Sequence, residues 1–477
     1  MQITPCIFRN YDIRARVPEE LDAVKVEAIG RAYGTFLQKR GIPKAVVGHD
    51  CRLSGPEFSQ AYINGLISTG INVIDIGMVM TQMVYCAQYY FQTKGGTMIT
   101  ASHNPANYNG FKMAINYSET TLPDDVKEIK EIVETENFFV PQELGKVIKE
   151  DIKEKYTQDL LSRIKPGKKF KFIVDFRHGT PGVFVPDILR RAGHEVIEKR
   201  SNLDGSFPAG TPDPTDEKFM KELGQEVVKE KADLGLAFDG DGDRIGIVDE
   251  KGNISWNDVL VVIFAQEILE KIPGAKIVFN TLCSQIVPQV IKKNNGVPIM
   301  WLVGHSFIKE KIVSTGAAFG GELSGHFFFK DGFYGHDDGI YAAFRLLRYL
   351  EEKNKILSEI CESFPKYISS PEIKIGCPDD KKVEVIRTLS EKFKKDFPNG
   401  AVTDDRDIPG NDGTRVDFED GMMIFRYSQN GPYITVRFEA KDEKAYNERK
   451  KYTRTILESY TEMLWQDELC INLDSLK

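Results

Sequence analysis

A chain of 477 residues is too long for one hydrophobic core, and its length points to three or four domains. With 41% hydrophobic and 28% charged residues it has an ordinary globular composition, and no apolar run of about 18 residues is available to span a membrane. The net charge of −8 argues against nucleic acid as a general partner, but leaves room for a small anion held by local cations.

The first segment, Phe8-Arg-Asn-Tyr11-Asp12-Ile-Arg14, is aromatic and charged and reads as a loop. No basic-then-apolar leader precedes it, and the seven cysteines include no Cys-x-x-Cys pair, so a disulfide framework is not expected. A cytoplasmic protein is the reading. Next, Lys44-Ala-Val-Val-Gly48 is a strand, followed by a polar loop, a helical run and a second strand over 70–76. The same order recurs at Lys171-Phe-Ile-Val-Asp175, just after a turn signal at Pro166-Gly167, and again at Lys276-Ile-Val-Phe-Asn280. Strand, loop, helix, glycine, strand is the βαβ unit of a largely parallel sheet, and three copies suggest three related α/β domains. The charge-rich 123–155 stretch reads as solvated helix, and 364–371 as a linker. Beyond it, strands over 372–375, 415–418, 421–427 and 433–439 combine with helices near 381–393 and 446–460 into an α+β fourth domain.

Four loops carry chemistry. The short β-branched run 97–101 ends on Ser102-His103-Asn104-Pro105, placing a hydroxyl where a sheet nucleophile would stand. Asn109-Gly110 reads as a turn, and pairing of the strands on either side returns Lys112 near Ser102. These residues are also ordinary loop formers, so the serine loop alone decides nothing. The buried-strand run 232–238 ends in Asp239-Gly-Asp241-Gly-Asp243-Arg244, whose alternating carboxylates suit a hard cation such as Mg²⁺. An EF-hand is excluded by Arg244 at the sixth place and by strands on both sides. An aspartyl-phosphate enzyme and a purely structural acidic turn are the remaining alternatives. Three aspartates and one Mg²⁺ leave one negative charge, so a phosphate would need Arg244, Arg14 and Lys112 as further cations. Polar groups also end the third strand–helix unit at His305, and Glu322, Ser324 and His326 form a glycine-flanked loop suited to polyol recognition. Last, Arg426-Tyr-Ser428-Gln429-Asn430-Gly-Pro432 joins two strands with groups that could grip a phosphate.

Together, Thr100-Ala-Ser-His-Asn-Pro105, Asp239-Gly-Asp-Gly-Asp-Arg244, Gly321-Glu-Leu-Ser-Gly-His326 and Arg426-Tyr-Ser-Gln-Asn-Gly-Pro432 resemble the signature loops of the α-D-phosphohexomutases, in the family's order. The bacterial phosphomannomutase/phosphoglucomutase subgroup is the nearest in pattern, and its N-terminal Tyr-Asp-Ile-Arg is matched at Tyr11 to Arg14. The resemblance implies four domains around a central cleft. Their expected spans are 1–150 with the phosphoserine loop, 151–252 with the metal loop, 253–366 with the sugar loop and 367–477 with the phosphate loop. It implies a mutase that interconverts hexose 1-phosphate and 6-phosphate, of mannose or glucose, through phosphorylated Ser102 and a hexose 1,6-bisphosphate, which also serves as activator. Mg²⁺ would be held by the Ser102 phosphate with Asp239, Asp241 and Asp243. Arg14, Lys112, Arg244 and His326 would act in catalysis. Tyr11, His305, Glu322, Ser324, His326, Arg426, Ser428, Gln429 and Asn430 would bind substrate. The expected partners are sugar phosphates alone, without nucleic acid or membrane, and a monomer is favoured. Two positions depart from the subgroup: Leu282 stands where a cleft lysine is usual, and the phosphate loop reads Ser428-Gln429-Asn430 rather than Ser-Asn-Thr. A phosphoglucosamine or phosphopentose mutase, or a phosphosugar-binding protein without turnover, are the alternatives.

Overall fold

Each of the three strand–helix–strand repeats folds as a parallel unit. Lys44–His49, the helix Gly55–Ser68 and Asn72–Met78 form the first, with Lys44 opposite Asn72. Lys171–Asp175, Val185–Arg191 and Glu195–Lys199 form the second. Lys276–Asn280, Ile286–Lys293 and Val297–Trp301 form the third. Their leading strands are almost wholly buried, as continuous apolar runs in a parallel sheet require. The computed structural model describes residues 4–164, 167–404 and 412–477, so Pro166 and the first three residues lie outside the described residues. Among the described residues no helix is long and apolar enough to cross a membrane.

Two compact units divide the chain. The first runs through Asp213 and takes in Leu236–Ile245 and His336–Phe344; the second holds Pro214–Gly235, Gly246–Gly335 and Arg345–Lys477. In the first unit a mixed sheet runs in the order Ile13–Arg16, Tyr108–Asn116, Gly95–Ile99, Lys44–His49, Asn72–Met78, Val147–Lys149. Two expectations are corrected here. Arg14 lies on a strand rather than in a loop, and Asn109-Gly110 is not a turn but part of the strand facing it, with Gly110 opposite Arg14. The glycine is needed for close approach: a Cβ there would stand 1.8 Å from the Ile13 carbonyl oxygen. Gly110→Ala is accordingly expected to destabilise the protein by about 1–3 kcal/mol, read as a lower urea midpoint. The 123–155 stretch is also more than solvated helix, because Pro123–Thr135 buries Val126, Ile129, Ile132 and Val133 and Val147–Lys149 forms a sheet edge.

In the second unit Lys276–Asn280 is flanked in parallel by Val297–Trp301 and Phe319–Gly321, and Phe319–Gly321 turns back antiparallel into Phe327–Phe329. The C-terminal sheet of the same unit is antiparallel. Its strands Gly413–Phe418, Gly421–Tyr427 and Tyr433–Ala440 form its centre, covered by helices Lys382–Asp396 and Glu443–Glu458. Leu389, Phe393, Phe425, Val436, Phe438 and Leu457 share its core. The 364–371 stretch is not wholly a linker, since Ile368–Ser369 pairs with Ala440 and Glu439.

Candidate active site

In the first unit, strand pairing sets Lys112 opposite Met98, four residues before Ser102. The serine loop follows the sheet end and carries Ser102 at φ +49°, in the left-handed region that non-glycine residues seldom occupy. The buried Ser102 hydroxyl donates to Asp239 Oδ2 at 2.5 Å, accepts from Arg244 Nη2 at 3.5 Å and lies 3.3 Å from His103 Nδ1. A serine and an aspartate 137 positions apart in sequence thus meet directly.

The acidic loop turns between the buried strands Leu234–Phe238 and Ile245–Val248. Gly242 takes φ +79°, and the amides of Gly242 and Arg244 both donate to Asp239 Oδ1, so the loop folds back on its first carboxylate. Asp239, Asp241 and Asp243 are all fully buried, and their ligand oxygens lie within 4.8 Å of one another. Lys112 Nζ bridges Asp241 at 2.7 Å and Asp243 at 2.5 Å, and Arg244 Nε reaches Asp239 at 2.9 Å. Arg14 is already paired with Asp12 at 2.8 Å, so Lys112 and Arg244 leave the three carboxylates short of full neutralisation.

These surroundings set the charge states. Burial pushes the Asp239 carboxyl up to about 7, against the pull of Arg244. Burial opposes the charge on Asp241 too, but Lys112 and the Thr81 hydroxyl bring it well below the usual carboxylate range. For Lys112, burial works against the ammonium, yet Asp241 and Asp243 outweigh it and raise its pKa. Lys112 is therefore charged at neutral pH. The donor set fits a hard cation: three buried carboxylates converge beside a hydroxyl, and Asp241 Oδ1 has no hydrogen-bond partner among the described residues.

Two groups of expected substrate residues form in the second unit. Glu322 lies at the end of Phe319–Gly321, and its Oε1 accepts from the Gly304 amide at 2.8 Å and from Asn280 Nδ2 at 3.2 Å. Its own amide donates to the His326 carbonyl, and the His305 and His326 rings lie 5.7 Å apart. Ser324, half-buried, sits between Glu322 and His326 in this hairpin. Ser428, Gln429 and Asn430 form the loop after Gly421–Tyr427; Ser428 Oγ donates to Asn430 Oδ1 at 3.0 Å, and the Asn430 amide donates to Ser428 Oγ at 3.2 Å. Arg426 is buried beside Asp412, and although burial opposes its charge, that carboxylate raises its pKa. Leu282 is fully buried and its carbonyl accepts from Arg437 Nη1 at 2.7 Å, so this position brings no cation to the strand end.

Some supporting residues escape sequence reading. Thr81, at the start of helix Thr81–Phe91, donates its hydroxyl to Asp241 Oδ2 at 2.6 Å. Lys382 donates to the Ser428 and Gly431 carbonyls at 2.7 and 2.8 Å, holding the loop from behind. Only their positions at element starts signal a role. Tyr11 is buried near the N-terminal edge strand, and its carbonyl accepts from Thr121 Oγ1 at 2.7 Å.

Known proteins resemble this chain over nearly its whole length. The phosphoglucomutase/phosphomannomutase α/β/α domain models I, II and III match residues 6–139, 152–252 and 256–367. A phosphomannomutase/phosphoglucomutase of Pseudomonas aeruginosa is 39% identical over 453 residues, covering 95% of this chain and 96% of the relative. A phosphoglucomutase of Neisseria gonorrhoeae is 36% identical over 464 residues, covering 97% and 99%. The crystal structure of a phosphoglucomutase/phosphomannomutase family protein from Burkholderia thailandensis superposes with a TM-score of 0.83 at 31% identity, covering 96% of this chain and 98% of that one. With a buried serine hydroxyl against a triple-aspartate loop and three domain models in register along it, the chain belongs to the phosphoglucomutase/phosphomannomutase family of α-D-phosphohexomutases.

Proposed function

We propose that this chain is a phosphosugar mutase in which Ser102 carries the phosphoryl group between hexose 1-phosphate and hexose 6-phosphate, of mannose or glucose. The observation that carries the reading is the 2.5 Å contact between Ser102 Oγ and Asp239 Oδ2, within a cluster of three buried aspartates. In the first half-reaction the sugar 6-hydroxyl oxygen bonds to the phosphorus of phospho-Ser102. The Ser102 Oγ–phosphorus bond breaks, the sugar hydroxyl proton leaves to a base, and Ser102 Oγ is reprotonated. The resulting 1,6-bisphosphate reorients; Ser102 Oγ gives up its proton and bonds to the phosphorus of the 1-phosphate, the bond from that phosphorus to the C1 oxygen breaks, and the C1 oxygen is protonated, releasing hexose 6-phosphate.

Arg244 lies against the Ser102 hydroxyl and Lys112 bridges two carboxylates of the acidic loop, and both would neutralise charge on the transferring group, the main task in phosphoryl transfer. Arg14 Nη1 is buried with no hydrogen-bond partner among the described residues and suits a phosphate oxygen. Lys112 and His326 are the candidates for proton transfer to and from the sugar hydroxyl and Ser102. Asp239, Asp241, Asp243 and an oxygen on Ser102 would hold Mg²⁺, which when bound supplies Lewis-acid neutralisation of the phosphoryl oxygens. Arg426, Ser428, Gln429 and Asn430 would anchor the phosphate that is not reacting, and His305, Glu322, Ser324 and Tyr11 the sugar. Four domains divided near 150, 252 and 366 accompany this reading, supported by family models that end at 139, 252 and 367. All seven cysteines are free thiols, which supports a cytoplasmic setting.

Phosphopeptide mass spectrometry after exposure to glucose 1,6-bisphosphate and Mg²⁺ tests the reading: a phosphate on Ser102 is expected, and its absence sinks the assignment. Rates on mannose, glucose, glucosamine and ribose 1-phosphates identify the sugar, with the two hexoses expected to lead. Ser324→Ala should raise the hexose KM roughly fivefold, the scale of one lost hydrogen bond, with an unchanged melting midpoint. An unchanged KM would remove Ser324 from the sugar site.

A further inference from the structure

We propose that Arg52 is a positioning residue that holds the Ser102 loop in its reactive conformation; the proposal rests on Ser102 as the phosphoryl carrier. Arg52 lies just beyond the strand Lys44–His49, in Asp50-Cys51-Arg52, and its side chain is fully buried. Its Nη2 donates to the Ser102 carbonyl at 2.9 Å and the Asn104 carbonyl at 2.7 Å. Its Nη1 donates to the Pro105 carbonyl at 2.6 Å and the Tyr108 carbonyl at 2.9 Å, and its Nε donates to Asp50 Oδ2 at 3.2 Å. Three carbonyls of the serine loop and that of Tyr108, where the next strand begins, thus converge on a single planar cation, an arrangement that suits the forked guanidinium.

The other side of the same peptide is held through Asp50. The Ser102 amide donates to Thr100 Oγ1 at 2.8 Å, and that hydroxyl donates to Asp50 Oδ2 at 2.7 Å. Asp50 Oδ1 takes the Arg52 amide at 3.0 Å, which closes the ring. Ser102 is therefore gripped at both its N–H and its C=O, and this keeps a non-glycine residue at φ +49° with its hydroxyl directed at Asp239. The Ser102 carbonyl is also crowded from the acidic loop, since a Cβ on Gly240 would lie 2.6 Å from it.

Every N–H of the Arg52 guanidinium is engaged and Asp50 balances its charge, so no donor is left for a substrate phosphate. That distinguishes Arg52 from Arg14 and Arg244. A purely structural buried ion pair would hold the fold without affecting the chemistry. A positioning role instead predicts that loosening the grip slows phosphoryl transfer at Ser102 and leaves substrate binding in place.

The test uses the full chain and four proteins: unsubstituted, Arg52→Lys, Thr100→Val and Thr100→Ser. Glucose 1,6-bisphosphate with Mg²⁺ is the phosphoryl donor, and phosphorylation of Ser102 is followed by rapid quench and intact mass. Arg52→Lys keeps the charge but loses the fork, and should lower both the loading rate and kcat about 100-fold, the effect of misplacing a reacting atom by roughly 1 Å. Its KM for glucose 1-phosphate should change less than about threefold, since uniform binding is untouched. Thr100→Val should slow loading in the same direction, and Thr100→Ser should recover most of that loss because it restores the hydroxyl. Loading at the unsubstituted rate in Arg52→Lys, whatever its melting midpoint, overturns the proposal. Should Arg52→Lys not fold, the Thr100 pair decides: equal loading by Val and Ser variants overturns the proposal, and slower loading by the Val variant supports it. No phosphate on Ser102 in the unsubstituted protein overturns the carrier assignment itself, and this proposal with it.

Discussion

Ser102→Ala is expected to lower turnover by on the order of 10⁴-fold or more, the scale seen when the nucleophile of a covalent mechanism is removed. The expectation follows from what surrounds the hydroxyl. Asp239 Oδ2 receives its proton at 2.5 Å, Arg244 Nη2 lies 3.5 Å away, and Lys112 links the two neighbouring carboxylates. Alanine removes the atom proposed to form and break the bond to phosphorus, and leaves every one of those charges in place. Binding of glucose 1-phosphate, followed by calorimetry, should therefore change less than about threefold, because the interactions lost are those of the transition state. The melting midpoint should be close to unchanged. A variant that turns over at the original rate would show that the phosphoryl group travels by another route.

The sequence made the strand–helix–strand repeats readable because buried parallel strands are continuous apolar runs, with a glycine resetting the chain before the next strand. The acidic loop was readable for a different reason: carboxylates at alternate positions between two apolar runs leave little but a cation to relieve them. Gly110 was misread because Asn-Gly is a turn signal, whereas here the missing side chain serves a backbone approach to Ile13 across the sheet. Arg14 was misread with it, as a strand of four residues at a sheet edge carries almost no periodicity. Thr81 and Asp241 are 160 positions apart, and Arg52 and Ser102 are 50 apart. Such partners share no local pattern. Only the fold brings a hydroxyl to Asp241 Oδ2, or a guanidinium to three carbonyls of the serine loop and that of Tyr108.

Asp241→Asn is expected to remove Mg²⁺ dependence and activity together, with turnover falling by about 10³-fold or more, since a cation that neutralises transferring phosphoryl charge contributes several kcal/mol. Asparagine has nearly the shape of aspartate and can still accept from the Thr81 hydroxyl, so the loop should keep its path. What changes is charge. Against the cost of burial, Lys112 and the Thr81 hydroxyl hold Asp241 well below the usual carboxylate range, so its charge stabilises the fold at neutral pH, and without metal the variant should melt somewhat lower than the unsubstituted protein. Added Mg²⁺ separates the readings without any assay of turnover. At a hundred times its dissociation constant a ligand that binds only the folded state stabilises it by about 2.7 kcal/mol, and this gain should be present in the unsubstituted protein and absent in Asp241→Asn. A variant that is still stabilised by Mg²⁺ and still turns over, but melts lower throughout, would make Asp241 a scaffold residue and move the cation elsewhere.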